Sequence, residues 1–383
     1  NGFHICDFDY LLTEISIPSS VTRIGRYAFK NCYQLKEISI PSSVTLIDDY
    51  AFYGCILLKQ IIIPSSVTSI GIGTFSICSS LTEITIPSFI TSIGNNTFYC
   101  CSLMKRITIP SSIKSIGFSA FSDCFSLEQF EIPSYINSIE AFTFSWCSSL
   151  KQIVIPMSVT IIGKRAFSNC SSLTKIEIPT SVTSIGDYAF YNCLSITEFQ
   201  IPSSVTIIGE YAFSKCISLT KILIPSSVTS IGVSVLNECT NLNQVSILSS
   251  IPNIGNSWFE KCKSLEQYSI PSSVKVIEKF AFYGCQKLKE IIIPSCVTSI
   301  EFGAFEKCTS LIKISELSSV NHISKYAFKS CNSLEKISIP SKNVTFENDV
   351  FQNCTSLKQI TLSIQNDLKD TGIDDDVEII QKE

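Results

Sequence analysis

Apolar and polar positions recur along this chain on a schedule of 23 residues. One pass of it, from Leu35 to Cys55, reads LKEISIPSSVTLIDDYAFYGC. In the next pass, Leu58-Lys-Gln-Ile61-Ile-Ile63, the β-branched Ile61 and Ile63 alternate with period two, which predicts a short strand with both side chains inward. Pro64 has no N–H to give to a sheet ladder, so the strand stops there. Val67 and Ile70 are spaced to turn the chain inward again, and Gly71 suits a tight turn. Thr74-Phe75 followed by Cys78 predicts a helical turn with Phe and Cys on one face, before the next strand begins at Leu81.

Pro18 opens a series that returns every 23 residues as far as Pro340, with Leu248 and Leu317 keeping step where proline is absent. Residues 18–362 are thus fifteen units without insertion or deletion. A fixed period of this size marks a solenoid, whose units bury their apolar faces only against neighbouring units. In the first unit the inward set is Val21, Ile24, Ala28, Phe29, Cys32, Leu35, Ile38 and Ile40; the Phe29 position keeps Phe in 14 of 15 units, Leu236 being the exception. The expected organisation is a partial repeat at 1–17, one elongated domain at 18–362, and an acidic cap or tail at 363–383 that is disordered or partly helical. The DTGIDDD run in that tail has the wrong acid spacing for a calcium loop.

Eighteen cysteines suggest a disulfide framework until they are placed in register. Fifteen of them, from Cys32 to Cys354, share one repeat position, which makes them a core ladder of buried thiols rather than systematic disulfides. No CxxC pair or His cluster supports zinc. Net charge is −4, and the tail 363–383 carries −5 of it, leaving residues 1–362 at about +1. A near-neutral body lacks the concentrated basic face that nucleic acid requires. No apolar run is long enough to span a membrane. The chain starts in the middle of a unit, Asn1 aligning with Ile24, and so reads as a piece trimmed from something longer, in which a missing signal peptide carries no information.

The unit LxxIxIPxxVxxIGxxAFxxC, as it stands from Leu35 to Cys55, resembles the BspA-type leucine-rich repeat, and the resemblance runs from residue 6 to 362. It implies cell-surface or secreted proteins that adhere to host extracellular-matrix or plasma proteins or to other microbes. The motif is made of core residues, so it implies no functional ones. Glu140, Glu278, Glu301 and Glu347 stand where Gly is usual and Trp258 where Ala is usual, which touches local turn geometry. Leucine-rich repeats normally carry an Asn after the strand that links neighbouring backbones; here the serines of Pro-Ser-Ser are expected to take over part of that bonding.

Binding chemistry is expected on the outward strand positions. The first column, Glu37, Gln60, Glu83, Arg106, Gln129, Gln152, Lys175 and onward, is long and polar in all fifteen units; the second is mixed, with Ile62, Val154, Leu223 and Ile292 among polar residues. The bland reading is an exposed sheet kept soluble. The densest charge lies at Glu131, Lys175, Glu177, Glu198 and Gln200, so with Arg106, Gln129 and Gln152 these are the candidate ligand-binding residues. Seven aromatics at variable positions, Phe89, Tyr99, Phe118, Phe125, Tyr135, Phe142 and Trp146, form a second candidate, with Trp146 its anchor. Catalysis finds little support: there are two histidines, His4 and His322, at unrelated points of the repeat, and no nucleophile, phosphate-loop or HExxH signature. Sequons at Asn95, Asn169, Asn343 and Asn353 fit a secreted chain, Asn95 being the most loop-like.

These readings converge on an α/β repeat solenoid, mostly β: a right-handed leucine-rich-repeat horseshoe with a continuous parallel sheet. The expected role is non-enzymatic adhesion to a protein or glycan ligand, without cofactor, metal or nucleic acid. The rival of another class is an intracellular scaffold that binds a cytosolic protein.

Overall fold

In the computed structural model, which describes residues 12–363 and 368–382, a coil contributes two short strands, though at residues 58–63 the longer one is reduced to a bridge between Gln60 and Glu83. The longer one holds the expected alternation, as at Glu37–Ser39 with Ile38 inward; the second, two residues long, follows the proline, as at Leu46–Ile47. Both pair parallel with their counterparts one period away: Ile15 with Ile38, Ile47 with Ile70, Ile153 with Ile176. The second ladder escapes sequence reading because it presents a single inward side chain per coil, too little for a periodicity.

Among the described residues there is no helix, and the helical turn expected at Thr74-Phe75 and Cys78 is corrected. Two positions in every coil lie in the left-handed backbone region, Tyr27 and Asn31 both at φ 60, then Tyr50 at 55 and Gly54 at 75, and so on to Asp349 and Asn353. A right-handed helix cannot pass through such residues. Between them the N–H groups alternate in target. Ala28 and Lys30 bond back to Gly25 and Tyr27 in their own coil, whereas Tyr27, Phe29 and Asn31 donate to the carbonyls of Asp49, Ala51 and Tyr53 in the next. A helix would close those bonds within one coil; here they join two. The left-handed conformation costs a side-chain-bearing residue roughly 1–2 kcal/mol, yet most of these positions are not glycine, so the bonds and burial formed across coils outweigh it.

The chain divides into two compact units, Asn1–Ile196 and Thr197–Glu383. In the first, the Phe column stacks from Phe29 to Phe190 with neighbouring ring centroids 5.1–5.7 Å apart and planes within 9° of parallel. In the second, stacking runs from Phe259 to Phe351 at 5.2–5.8 Å, and Leu236 lies buried at the one position without a ring.

Beside each ring column run the cysteines. In the first unit the Cys55, Cys78 and Cys147 thiols donate to the carbonyls of Phe29, Phe52 and Phe121 in the preceding coil at 3.1–3.3 Å; in the second, Cys262 and Cys285 do the same to Leu236 and Phe259. A thiol fits because it packs as a small apolar group while its weak S–H meets a carbonyl lone pair that alanine would leave unmet. Burial pushes the Cys124, Cys147 and Cys239 thiols well up, and Cys354 to about 12. Sixteen described cysteines are thiols, fourteen of them buried, with Cys100 and Cys296 half-buried. Cys32 departs from the expected ladder of thiols in being disulfide-bonded; Cys6 lies outside the described residues.

The serines behave as expected. Ser43, Ser66 and Ser181 donate to the carbonyls of Val21, Val44 and Val159 one coil back, as do Ser227 and Ser273 to Val205 and Ile251. The threonine two residues on adds a parallel set that sequence reading missed, Thr45 to Thr22 and Thr68 to Thr45. At two of the four positions where Glu replaces Gly the carboxylate caps a backbone N–H of the preceding coil, Glu278 accepting from Asn256 and Glu347 from Lys325, whereas Glu140 and Glu301 accept from the Ser138 and Ser299 hydroxyls. Trp258 is buried because Gly255 makes room for it; a Cβ there would lie 2.2 Å from the indole nitrogen. The tail is also corrected. Glu378–Lys382 is a strand paired parallel with Gln359–Ser363, Ile360 facing Ile379, because Val377, Ile379 and Ile380 give it enough β-branched character to add to the last ladder.

This packing can be checked in two ways. Phe144 sits among Phe121, Phe130 and Phe167, so Phe144→Ala should lower stability by about 3–5 kcal/mol in denaturant unfolding; a loss under about 1 kcal/mol would mean that the ring column is not a packed core. Iodoacetamide at mildly alkaline pH should label Cys100 and Cys296 in the native chain and Cys147 only after unfolding, as read by peptide mass spectrometry. Prompt native labelling of Cys147 would contradict a closed ladder.

Candidate functional site

Strand alternation decides which side chains reach solvent. Phe130 takes the inward place that isoleucine holds in the adjacent coil, so Gln129 and Glu131 on either side of it point out, and the same holds around Ile153 and Ile176. Parallel in-register pairing then stacks like positions: Gln129, Gln152 and Lys175 form one row, and Glu131, Val154 and Glu177 the other, on a single three-stranded ladder of the first unit. Lys175 Nζ lies 2.7 Å from Glu177 Oε1. The hydrogen bond and charge of each hold the Lys175 ammonium up and the Glu177 carboxyl down from their ordinary ranges. Both tips are exposed, so the pair adds little stability and is open to a ligand.

The other candidates are distributed. Arg106 belongs to a two-stranded ladder with Glu83. It lines a shallow depression of about 520 Å³ with Gln60, Ile62, Glu83 and Thr108, in which Ile62 is 81% exposed. Glu198 and Gln200 lie in the second unit, stacked on Lys221 and Leu223. Trp146 is on another part of its coil, 47% exposed, with its ring edge-on to Phe125 at 6.4 Å. The seven aromatics form no single patch: Phe118 packs on Phe142 at 5.3 Å, Arg165 lies over the Phe142 and Tyr188 rings, and Phe89 and Tyr135 stand exposed where other coils carry the bonding serine.

Two features were missed from sequence. Val154, 75% exposed, and Met157, 63% exposed, join Gln152, Lys175 and Glu177 around a depression of about 380 Å³. In the second unit Phe280, Tyr283, Phe302 and Tyr326 gather around another; the available signal was aromatic residues at variable positions in three successive coils.

His322 is the described histidine. Its Nδ1 is 2.9 Å from Thr345 Oγ1 and its Nε2 2.9 Å from Ser324 Oγ. Ser324 is buried, and Glu347 Oε1 lies 3.7 Å from Nε2. Among the described residues no three His, Cys, Asp or Glu side chains gather as metal ligands, and no helix is long and apolar enough to cross a membrane.

The family described as BspA type leucine-rich repeat region (6 copies) matches four overlapping stretches, residues 6–128, 91–215, 137–266 and 252–372. A leucine-rich repeat protein from Bacteroides ovatus ATCC 8483 has 29% sequence identity to this chain, with 97% of this chain and 92% of that one covered and a TM-score of 0.80. A second, from Eubacterium ventriosum ATCC 27560, is 25% identical over 75% and 83% of the two chains at TM-score 0.50. A leucine rich cell surface protein from Faecalibacterium prausnitzii A2-165 is 30% identical over 82% and 81%, with a TM-score of 0.48. No curated protein matches. With its repeat, its register and a family match over almost its whole length in agreement, the chain belongs to the BspA type leucine-rich repeat family.

Proposed function

We propose that this protein is a non-enzymatic binding module of the cell surface or secreted space, and that it holds a protein or glycan ligand on the outward strand face. Host extracellular-matrix and plasma proteins are the ligand class we favour. The observation that carries the reading is the ladder of Gln129, Glu131, Gln152, Val154, Lys175 and Glu177. There an exposed aliphatic side chain and Met157 lie next to an accessible ion pair, the mixture of apolar anchor and polar rim that suits recognition. Arg106 beside Ile62 repeats that mixture in the first unit; Glu198 and Gln200 beside Leu223 repeat it in the second.

Location outside the cell is supported by the disulfide at Cys32, a bond that persists in oxidising compartments. The sequons divide: Asn343 and Asn353 are exposed, Asn169 is buried, and Asn95 uses its side-chain oxygen to accept the Phe118 N–H.

Serum raised against residues 18–362 should label intact source cells or their culture medium. Signal only after permeabilisation would remove the adhesive reading in favour of a cytosolic scaffold. Against fibronectin or fibrinogen as the first probes, Val154→Asp combined with Lys175→Glu should weaken binding at least about tenfold with the melting temperature unchanged. Retained binding in that variant, with loss in Trp146→Ala, would move the site from the strand face to the aromatic flank.

A further inference from the structure

The second unit carries a depression of about 390 Å³ lined by Phe280, Tyr283, Phe302, Tyr326, Glu260, Lys261 and Glu306. Four successive coils build it, three of them supplying the rings. Phe280 and Phe302 meet edge to face at 5.2 Å and 79°, Phe302 and Tyr326 at 5.5 Å and 71°, and Phe280 and Tyr283 at 5.6 Å and 89°. All four rings are half-buried, so each keeps part of its surface toward the opening. Phe280, Gly303 and Tyr326 occupy the same repeat position in successive coils. Gly303, at φ +59, carries no side chain in that column, and the Phe280 ring lies over it. A Cβ there would lie 2.8 Å from the Phe280 ring and 3.3 Å from Glu306 Oε2.

Glu306 is the unusual member. It is 8% exposed, yet its carboxylate has neither a hydrogen-bond nor an ion-pair partner among the described residues. Its residue as a whole is largely covered, and the side chain lines the depression. The nearby lysines are committed elsewhere: Lys261 to Glu238 and Glu260, Lys325 to Asp349, and Lys307 to the Tyr283 hydroxyl at 2.6 Å. Ring faces at the rim already attract ammonium groups, with Lys329 Nζ 4.1 Å and Lys325 Nζ 4.7 Å from the Tyr326 centroid and Lys307 Nζ 5.0 Å from that of Tyr283.

We propose that this box binds an alkylated ammonium group, with Glu306 as its counter-charge and Phe280, Phe302, Tyr283 and Tyr326 as its walls. The walls offer π-electron density and a single unpaired acceptor, too little to replace the hydration shell of a primary ammonium but suited to a weakly hydrated trimethylammonium.

The test uses the full chain with choline as probe and 3,3-dimethyl-1-butanol, its neutral isostere, as control, followed by saturation-transfer NMR and calorimetry. Choline should bind saturably, with the isostere at least about tenfold weaker. Glu306→Gln should weaken choline at least about fivefold, and Phe302→Leu should do likewise, each with its melting temperature checked. Equal binding of the isostere would identify a merely apolar hollow and overturn the proposal. Absence of saturable choline binding, or an unaltered affinity in Glu306→Gln at native stability, would overturn it as well.

Discussion

Every coil relies on the coil beside it to complete its hydrogen bonds. The N–H groups of Tyr27, Phe29 and Asn31 reach carbonyls one period on, while the Ser43 hydroxyl and the Cys55 thiol reach back to carbonyls of the coil before. An insertion of one residue would misplace all of these at once and turn strand side chains to the wrong face. That explains a period without slack over residues 18–362. It also explains why left-handed backbone is tolerated at residues as unsuited as Ile77, at φ 61: the position is held by its neighbours on both sides. Stability of this kind is a sum over adjacent coils rather than a property of one of them.

With the interior so constrained, variation is left to the outward columns, and the fold gives it a particular form. Any residue type placed there lies about one strand spacing from its equivalents in the adjacent coils. Like charges would repel along such a row, and the chain answers with opposite charges one period apart: Lys151 with Glu128 in the first unit, and Lys289 with Glu266, Lys313 with Glu290 and Lys358 with Glu335 in the second. These exposed pairs contribute little to stability. Their effect is to neutralise the faces, which leaves exposed apolar members such as Ile62 and Val154 as the places where a ligand gains most.

Much of the fold was legible from sequence because its determinants are local and repeated fifteen times. The strand, its termination at proline, the Phe column and the serine bonding all follow from residue types at fixed spacing. What failed has a common cause. Thr74-Phe75 with Cys78 looks helical by the spacing of its apolar residues, but its backbone is set by bonds to the next coil, which no single unit displays. The tail looked disordered by charge, while Val377, Ile379 and Ile380 respond to the strand edge that the last full coil leaves open. For the candidate site, exposure of Gln129, Glu131, Gln152, Lys175 and Glu177 was readable from alternation. The hollow at Met157 and the box around Glu306 were not, since each depends on side chains from different coils meeting in space.

Concavity is the scarce resource in an array without inserted loops. A column of equal side chains gives a ridge, and a ridge offers only its outer edge to a partner. One depression of the second unit lies beside an interrupted column. Gly303 stands between Phe280 and Tyr326 in that column, the Phe280 ring lies over it, and Phe302 packs edge to face on both rings. Gly73, after Tyr50 in the first unit, is covered in the same way: a Cβ there would lie 2.4 Å from the Tyr50 ring. Three residues beyond Gly73 the chain carries Ser76, where the equivalent place beyond Gly303 holds Glu306. The same glycine position therefore has a carboxylate beyond it in one coil and a hydroxyl in the other. Side chains that border such positions can differ from coil to coil with almost no effect on the bonds that hold the coils together.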